Sequence, residues 1–337
     1  MYYTIKRLWI EKSINQKQLW EEFLISQGIK KDNAVNYTIG IYDSDKLVGT
    51  GSLFNNIIKC VAVKEEYKGG DIINKILTHL LNEIYALGYG NSFVYTKLES
   101  LGSFINLGFT EIARVDSDLI FLERNADGFK SFIDSLRNNS VKNKNTAAIV
   151  MNANPFTLGH QYLIQQALRE CDFLHLFVLS EDLSLFPKDI RLDLVKKGTA
   201  KFKNIKIHET GDYMVSSKTF PSYFLKNDAD ITKIHAKLDA VIFKNYIAEA
   251  LNIKTRFVGE EPLSVATDIY NKTMAEVFCP EIDLKIIPRL EADKEIISAS
   301  RVRALMIEND YEAIKKLVPP PTFEFIISEA GKLLGGH

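Results

Sequence analysis

Between Met151 and His160 the chain reads MNANPFTLGH. Thr157 and His160 are three residues apart, a spacing that puts a hydroxyl and an imidazole on one side of a first helical turn. Pro155 stiffens the loop, and Gly159 allows the backbone to approach a ligand closely at the helix start. A helix start adds unpaired N–H groups and the positive end of its dipole. Asn152, Asn154, Pro155, Phe156, Thr157, Gly159 and His160 therefore form a candidate phosphate-binding loop. Its chemistry would be to stabilise a phosphate whose charge rises during a reaction, with the Thr157 hydroxyl and a His160 imidazolium as donors. Roughly 140 residues further on, Ile297–Arg303 reads ISASRVR. There Ser298 can cap a helix, Ser300 and Arg303 can face one phosphate, and Arg301 lies beside them. A planar guanidinium binds phosphate oxygens in pairs.

Weaker candidates surround these. In FPKDIR, Lys188 and Arg191 could reach a phosphate or a carboxylate. In FVGEE, Val258, Gly259 and Glu260 end an apolar strand where the backbone could read an adenine edge. The run Gly211–Lys226, GDYMVSSKTFPSYFLK, is dense in polar groups and without period. It contributes Asp212, Tyr213, Ser216, Thr219 and Tyr223 as candidate substrate residues. Asp239 is a further candidate, or a helix cap.

The elements that must position these residues fall into two patterns. Up to about residue 125, strands are expected at Tyr37–Tyr42, Lys46–Leu53, Ile57–Val63, Ser92–Thr96 and Leu119–Leu122. Apolar residues at Ile73, Ile76, Leu77, Leu80, Leu81 and Ile84 mark a helix. A helical stretch, Gly128–Leu136, precedes the polar run RNNSVKNKN, which reads as a linker, so the expected division is 1–125, a linker over 126–145, and 146–337. From residue 146, short apolar strands alternate with helices: Ala147–Met151, Gly159–Glu170, His175–Leu179, Ile190–Phe202, Ile205–Glu209, Ala240–Leu251, Arg256–Gly259, Thr267–Val277 and Leu284–Ile287. That alternation implies an α/β fold built on a doubly wound parallel sheet. The first motif follows its first strand, at the carboxyl edge where such sheets bind ligands.

Composition narrows the function. Of 337 residues, 42 are Lys or Arg and 43 Asp or Glu, for a net charge of −1. That balance argues against a nucleic-acid partner. No apolar run approaches the roughly 20 residues that span a bilayer, so no membrane partner is expected. The N-terminus lacks the apolar core of a signal peptide, and a cytoplasmic protein is the expectation. Cys60, Cys171 and Cys279 are far apart and read as three buried apolar residues, with no metal-ligand cluster.

The T-x-G-H segment resembles the T/H-x-G-H signature of the adenylyltransferase superfamily, and ISASRVR its I-S-S/T-x-x-x-R element. A wider set resembles the citrate lyase ligase family: NANPFTLGHQYLI, GDYMVSSKTFPSYFLK, LDAVIFKNYIAEALNI, RFVGEEPLS, IPR and ISASRVR. These cover most of residues 146–320. The resemblance implies a ligase that uses ATP and acetate to form acetyl-adenylate and pyrophosphate. The acetyl group then passes to the phosphoribosyl dephospho-CoA thiol of the citrate lyase acyl carrier subunit, AMP leaves, and the lyase becomes active. It implies that Thr157 and His160 serve the α-phosphate, that Ser298, Ser300 and Arg303 hold the leaving pyrophosphate, and that the 211–226 run lines the acetate or thiol side. A Mg²⁺ ion bridging the phosphates is expected, with no protein ligand assigned.

Residues 1–125 resemble the N-acetyltransferase (GNAT) fold, chiefly through VAVKEEYKGGDIINKILTHLL. Members that bind CoA cradle its diphosphate with a glycine-rich helix start. Here Asp71 stands where a second glycine is expected, and a carboxylate there would repel a diphosphate. Two other readings remain open: nucleotidyl transfer onto a phosphate-bearing cofactor precursor, and a carrier-docking module with a vestigial nucleotide site.

Overall fold

The computed structural model describes residues 3–32, 34–125, 127–142, 144–181, 184–214, 220–221, 223, 228–260, 265–292 and 295–335. In chain order the first elements are β1 (Tyr3–Arg7), α1 (Ile14–Ser26), β2 (Tyr37–Asp43), β3 (Lys46–Phe54), β4 (Ile57–Val63), α2 (Ile72–Ala86), β5 (Ser92–Thr96), α3 (Leu101–Ile105), β6 (Thr110–Val115), β7 (Leu119–Arg124) and α4 (Gly128–Arg137). The strands form one sheet in the order β1-β2-β3-β4-β5-β7-β6. Its neighbours are antiparallel except β4 and β5, which run parallel and pair only at Ile57–Phe93 and Ile58–Val94. Helix α2 buries Ile72, Ile76, Leu77, Leu80 and Ile84. It comes so close to β3 that a Cβ at Gly51 would lie 2.5 Å from the Ile76 side chain. This explains the glycine in KLVGTGSL. The arrangement is a mixed α+β unit, with the strands and the long helix that the sequence led us to expect.

The chain continues with β8 (Thr146–Met151), α5 (Leu158–Glu170), β9 (Phe173–Val178), α6 (Lys188–Thr199), β10 (Ile205–Glu209) and α7 (Asp228–Ile242). A π-helical turn (Phe243–Ala248) leads into α8 (Glu249–Leu251), β11 (Ile253–Gly259), α9 (Val265–Phe278) and β12 (Asp283–Ile287). A hairpin of β13 (Glu291–Ala292) and β14 (Glu295–Ile296) precedes α10 (Ala299–Glu308), α11 (Tyr311–Lys315), α12 (Pro320–Ile327) and α13 (Glu329–Leu334). Strands β8–β12 make an all-parallel sheet ordered β10-β9-β8-β11-β12. Its core is built from Ile149, Leu174, Leu176 and Phe257 of the strands with Phe156, Leu194, Val302 and Met306 from loops and helices. The order reverses between β8 and β11, so the crevice for a ligand opens beyond Met151 and Gly259. This is the doubly wound parallel sheet expected.

The chain packs as two compact units, Met1–Ser131 with Ser217–Val241, and Phe132–Ser216 with Ile242–His337. The division differs from an uninterrupted 146–337 in one physical respect: aromatic residues past 216 pack with the first unit. Tyr223 joins the cluster of Trp20, Leu47 and Cys60, and the Phe220 ring lies 6.1 Å from that of Tyr95. Lys237 pairs with Asp116 at 2.6 Å. The stretch expected as a linker contains α4, which buries Ile133 and Leu136. Elements β1, α1 and β6 are additions to the sequence pattern; α1 buries only Trp20, Phe23 and Leu24, too narrow a stripe to stand out. The cysteines are all free, but only Cys60 is buried, Cys171 being partly covered and Cys279 exposed. Among the described residues no helix is long and apolar enough to cross a membrane.

Candidate functional site

The loop from β8 to α5 builds the candidate site. Thr157 has extended backbone and caps α5; its Oγ1 accepts the His160 N–H at 3.4 Å. In return the Thr157 N–H donates to His160 Nδ1 at 3.0 Å, and the Thr157 hydroxyl lies 2.9 Å from the same nitrogen. This reciprocal capping satisfies two helix-end groups at once. Since a backbone N–H can only donate, Nδ1 must be the acceptor, and the proton of the neutral ring is on Nε2. Burial, and then the positive charge of Arg289, push His160 down to about 4. The expected imidazolium is thus a neutral imidazole, because a cation here would lose solvation and face another cation. Thr157 is buried, and its hydroxyl orients the ring rather than facing outward.

Phe156 supports the arrangement from below. Its ring stacks on His160 with centroids 5.5 Å apart and planes 14° apart. Gly198 of α6 makes room for it, since a Cβ there would lie 2.5 Å from the Phe156 ring. Gln161 donates to the Gly198 carbonyl at 2.6 Å.

The second motif meets the first through backbone and guanidinium. Ser298 caps α10, accepting the Arg301 N–H at 3.1 Å. Ile297 precedes it, and a Cβ on Gly159 would be only 3.1 Å from the Ile297 carbonyl. Close approach at Gly159, expected for a ligand, is here an approach of one motif to the other. Arg303 Nη1 donates to the Asn154 carbonyl at 2.6 Å, and its Nη2 donates to Ser300 Oγ at 3.1 Å. Asn154 Oδ1 accepts the Phe186 N–H at 3.0 Å, tying in the loop before α6. Partial burial lowers the pKa of Arg303 from its ordinary range.

Two residues of that loop differ in environment. Lys188 is exposed at the first turn of α6. Arg191 is fully buried. Its Nε donates to the Phe186 carbonyl at 3.0 Å, Nη1 to the carbonyls of Asn152 at 2.9 Å and Leu179 at 2.7 Å, and Nη2 to that of Glu181. Nη1 also reaches Asn152 Oδ1 at 2.8 Å. Arg191 therefore braces the loops after β8 and β9 from inside, and its expected place as a phosphate contact is corrected to that of a scaffold.

At the end of β11, Val258 and Gly259 are partly exposed and Glu260 is exposed. A Cβ on Gly259 would meet no atom within 4 Å, so protein packing alone does not require glycine there. The Glu260 N–H donates to the Ile287 carbonyl at 2.9 Å, and the Glu260 carbonyl accepts from Arg289 Nε at 2.6 Å. Arg289 was missed among the candidates; the signal was present in IPR, a cation directly after the apolar strand β12.

Of the described candidate substrate residues, Asp212 and Tyr213 belong to the second unit and Tyr223 and Asp239 to the first. Asp212 is exposed in the turn after the edge strand β10, and Tyr213 is buried with its ring 4.9 Å from Phe132. Ser216 and Thr219 lie outside the described residues. Tyr223 and Asp239 are buried and pack with the first unit. Tyr223 lines a cavity there of about 560 Å³, together with Gly69, Gly70, Tyr95 and Thr96, where β4 and β5 diverge. Desolvation raises its hydroxyl pKa well above the ordinary range. Asp71, just before α2, is exposed and paired with Lys75 at 2.8 Å.

Residues 146–326 match the model of the citrate lyase ligase C-terminal domain. The chain is 38% identical over 324 residues to the [citrate [pro-3S]-lyase] ligase of Escherichia coli K12, covering 94% of this chain and 92% of that protein. The enzyme of the same name from Haemophilus influenzae is 36% identical, with 93% and 96% covered. The Klebsiella pneumoniae enzyme is 33% identical, with 98% of each chain covered. With both motifs joined at the switch point of the parallel sheet and the likeness running almost end to end, the chain belongs to the citrate lyase ligase family of enzymes.

Proposed function

We propose that this enzyme activates citrate lyase by acetylating the thiol of the lyase's acyl carrier subunit, using ATP and acetate. The observation that carries this reading is the joining of T-x-G-H to the Arg303 helix, through Gly159–Ile297 and Arg303–Asn154. It gathers two helix N-termini, a neutral imidazole Nε2–H and guanidinium groups at one carboxyl edge. Such a set fits a nucleoside triphosphate, which needs donors and positive potential along its phosphates.

An acetate oxygen attacks the α-phosphorus, the bond from that phosphorus to the bridging oxygen breaks, and pyrophosphate leaves. No enzyme nucleophile is required, so catalysis rests on alignment and on charge stabilisation. His160 donates from Nε2 to the α-phosphate, with Thr157 holding the ring. Ser298, Ser300 and Arg303 serve the departing diphosphate. The open space before Gly259 suits an adenine edge read by the β11 backbone. The carrier thiol, of the phosphoribosyl dephospho-CoA type, then attacks the acetyl carbon. Its proton passes to solvent, the acyl–oxygen bond breaks, and AMP leaves.

Among the described residues no group of three or more carboxylate, histidine or cysteine side chains is arranged to hold a metal. A Mg²⁺ ion would accordingly be held by the phosphates and by water, with few protein ligands. When bound it would neutralise phosphate charge.

The test is exchange of labelled pyrophosphate into ATP. Exchange that requires acetate is expected. Exchange with no carboxylate, or only with a phosphate-bearing acceptor, would contradict the proposal.

A further inference from the structure

Asn152 is the first residue past β8, at the carboxyl edge that carries the T-x-G-H loop. Its side chain is exposed, yet its orientation is fixed from within. Arg191 Nη1 donates to Asn152 Oδ1 at 2.8 Å and to the Asn152 carbonyl at 2.9 Å. A guanidinium can only donate, so the amide oxygen faces Arg191 and the amide nitrogen is turned away from it. Of the two hydrogens on Nδ2, one goes to Ser184 Oγ at 3.1 Å. The second has no acceptor among the described residues. The next residue, Ala153, is buried with a φ of +52°, a left-handed backbone that alanine rarely adopts. Such a conformation persists only where its surroundings enforce it, and it recurs at ligand-binding positions.

The loop is held from two sides. Ser184 and Arg191 reach Asn152 from the stretch after β9, and the Leu179 N–H donates to the Met151 carbonyl at 3.1 Å. Arg303 reaches the same loop from α10, at the Asn154 carbonyl. With the departing diphosphate on the α10 side, in-line attack on the α-phosphorus brings the acid oxygen from the β9 side, where Asn152 stands. Resting on the ligase reading above, we infer that Asn152 is a catalytic residue whose Nδ2–H holds the non-attacking oxygen of acetate, with Arg191 as the positioning residue that aims it. One acetate oxygen forms the bond to phosphorus, and the electrons of the broken phosphorus–oxygen bond leave with pyrophosphate. The other oxygen stays on the amide and becomes the carbonyl oxygen of the acyl-adenylate, still an acceptor. A neutral donor suits this task, since a cation would bind the acetate ground state tightly without an equal gain in the transition state. A phosphate-bearing acceptor would instead call for a cation here, and Arg191 is turned inward onto carbonyls.

The test separates acetate from ATP in the full-length protein. Pyrophosphate exchange gives kcat/KM for acetate, and calorimetry with Mg²⁺ gives the affinity for ATP. Asn152→Ala should lower kcat/KM for acetate about 10²–10³-fold, the cost of one preorganised donor, while ATP affinity stays at the wild-type value. Asn152→Asp keeps an oxygen for Arg191 but sets a carboxylate oxygen where the N–H stood, so acetate should lose at least as much. Equal losses for ATP and acetate in Asn152→Ala would overturn the assignment, because they are the mark of a distorted loop. So would an unchanged kcat/KM for acetate in either variant. Exchange by the wild-type protein that needs no acetate would count against the ligase reading. Acetate-dependent exchange that survives intact in Asn152→Ala would count against Asn152 alone.

Discussion

The backbone N–H of Thr157 donates to Nδ1 of His160 at 3.0 Å, so the ring carries its proton on Nε2. Its pKa is held at about 4, first by burial and then by Arg289. The site therefore offers a donor without a second full charge.

Replacing His160 by Ala should slow adenylation about 10²–10³-fold, the cost of removing one preorganised donor. Thr157→Val, which loses the hydroxyl but keeps the shape, should also slow it, while Thr157→Ser should keep most of the rate. Because the folded pKa of His160 is depressed, its neutral form persists as pH falls past 6.5, and His160-dependent activity should disappear only near pH 4. Pyrophosphate exchange across pH 4–8 checks this. An acid limb near 6.5 that vanishes in His160→Asn would contradict it.

Arg191 has its guanidinium bonded to four backbone carbonyls inside the protein. Arg191→Met should destabilise by roughly 3 kcal/mol or more, as several buried acceptors lose their partner. The variant protein that remains folded at low temperature should bind ATP with affinity close to wild type. Thermal unfolding alongside ATP calorimetry separates scaffold from ligand contact.

Gly198→Ala places a Cβ 2.5 Å from a fully buried Phe156 ring. Overpacking of this kind costs about 1–3 kcal/mol. Since Phe156 stacks on His160, the exchange rate should fall as well. Urea midpoints and exchange assays on the same preparation would show both losses.

His175 Nδ1 and His208 Nε2 are 3.0 Å apart on β9 and β10, with burial as the main cause holding them at about 4 and about 3. The unfolded chain takes up protons near pH 6.5, while the folded chain does so only well below it. Their stabilising contribution is therefore complete above about pH 7 and is lost as pH falls from 6.5 toward 4. Urea unfolding should show lower stability at pH 5 than at pH 7.5, by on the order of 2 kcal/mol. A His175→Phe, His208→Leu double variant should flatten that slope.

Much of the C-terminal unit was legible because buried parallel strands and capped helices leave strong local marks. AAIVM, the T-x-G-H turn and the Ser298 cap are each written in a few consecutive residues. What escaped depends on contacts far apart in sequence. Arg191 looked like a surface cation, since nothing in FPKDIR announces that carbonyls of residues 152 and 179 will enclose it. The imidazolium expected at His160 is disfavoured first by burial and then by a charge 129 positions away, at Arg289, neither of which the local sequence displays. Tyr223 looked like part of a polar substrate loop, yet its ring lies in the core of the other unit. Local composition shows that a segment is rich in chemistry but not which unit will take it up.

The most direct test of the account follows the oxygen of acetate. A single turnover with [¹⁸O]acetate, ATP and the thiol-bearing carrier should place one labelled oxygen in the phosphate of AMP, because that oxygen attacks the α-phosphorus and stays with it when the thiol takes the acetyl group. Label appearing in orthophosphate with ADP as the nucleotide product, or unlabelled AMP, would contradict it.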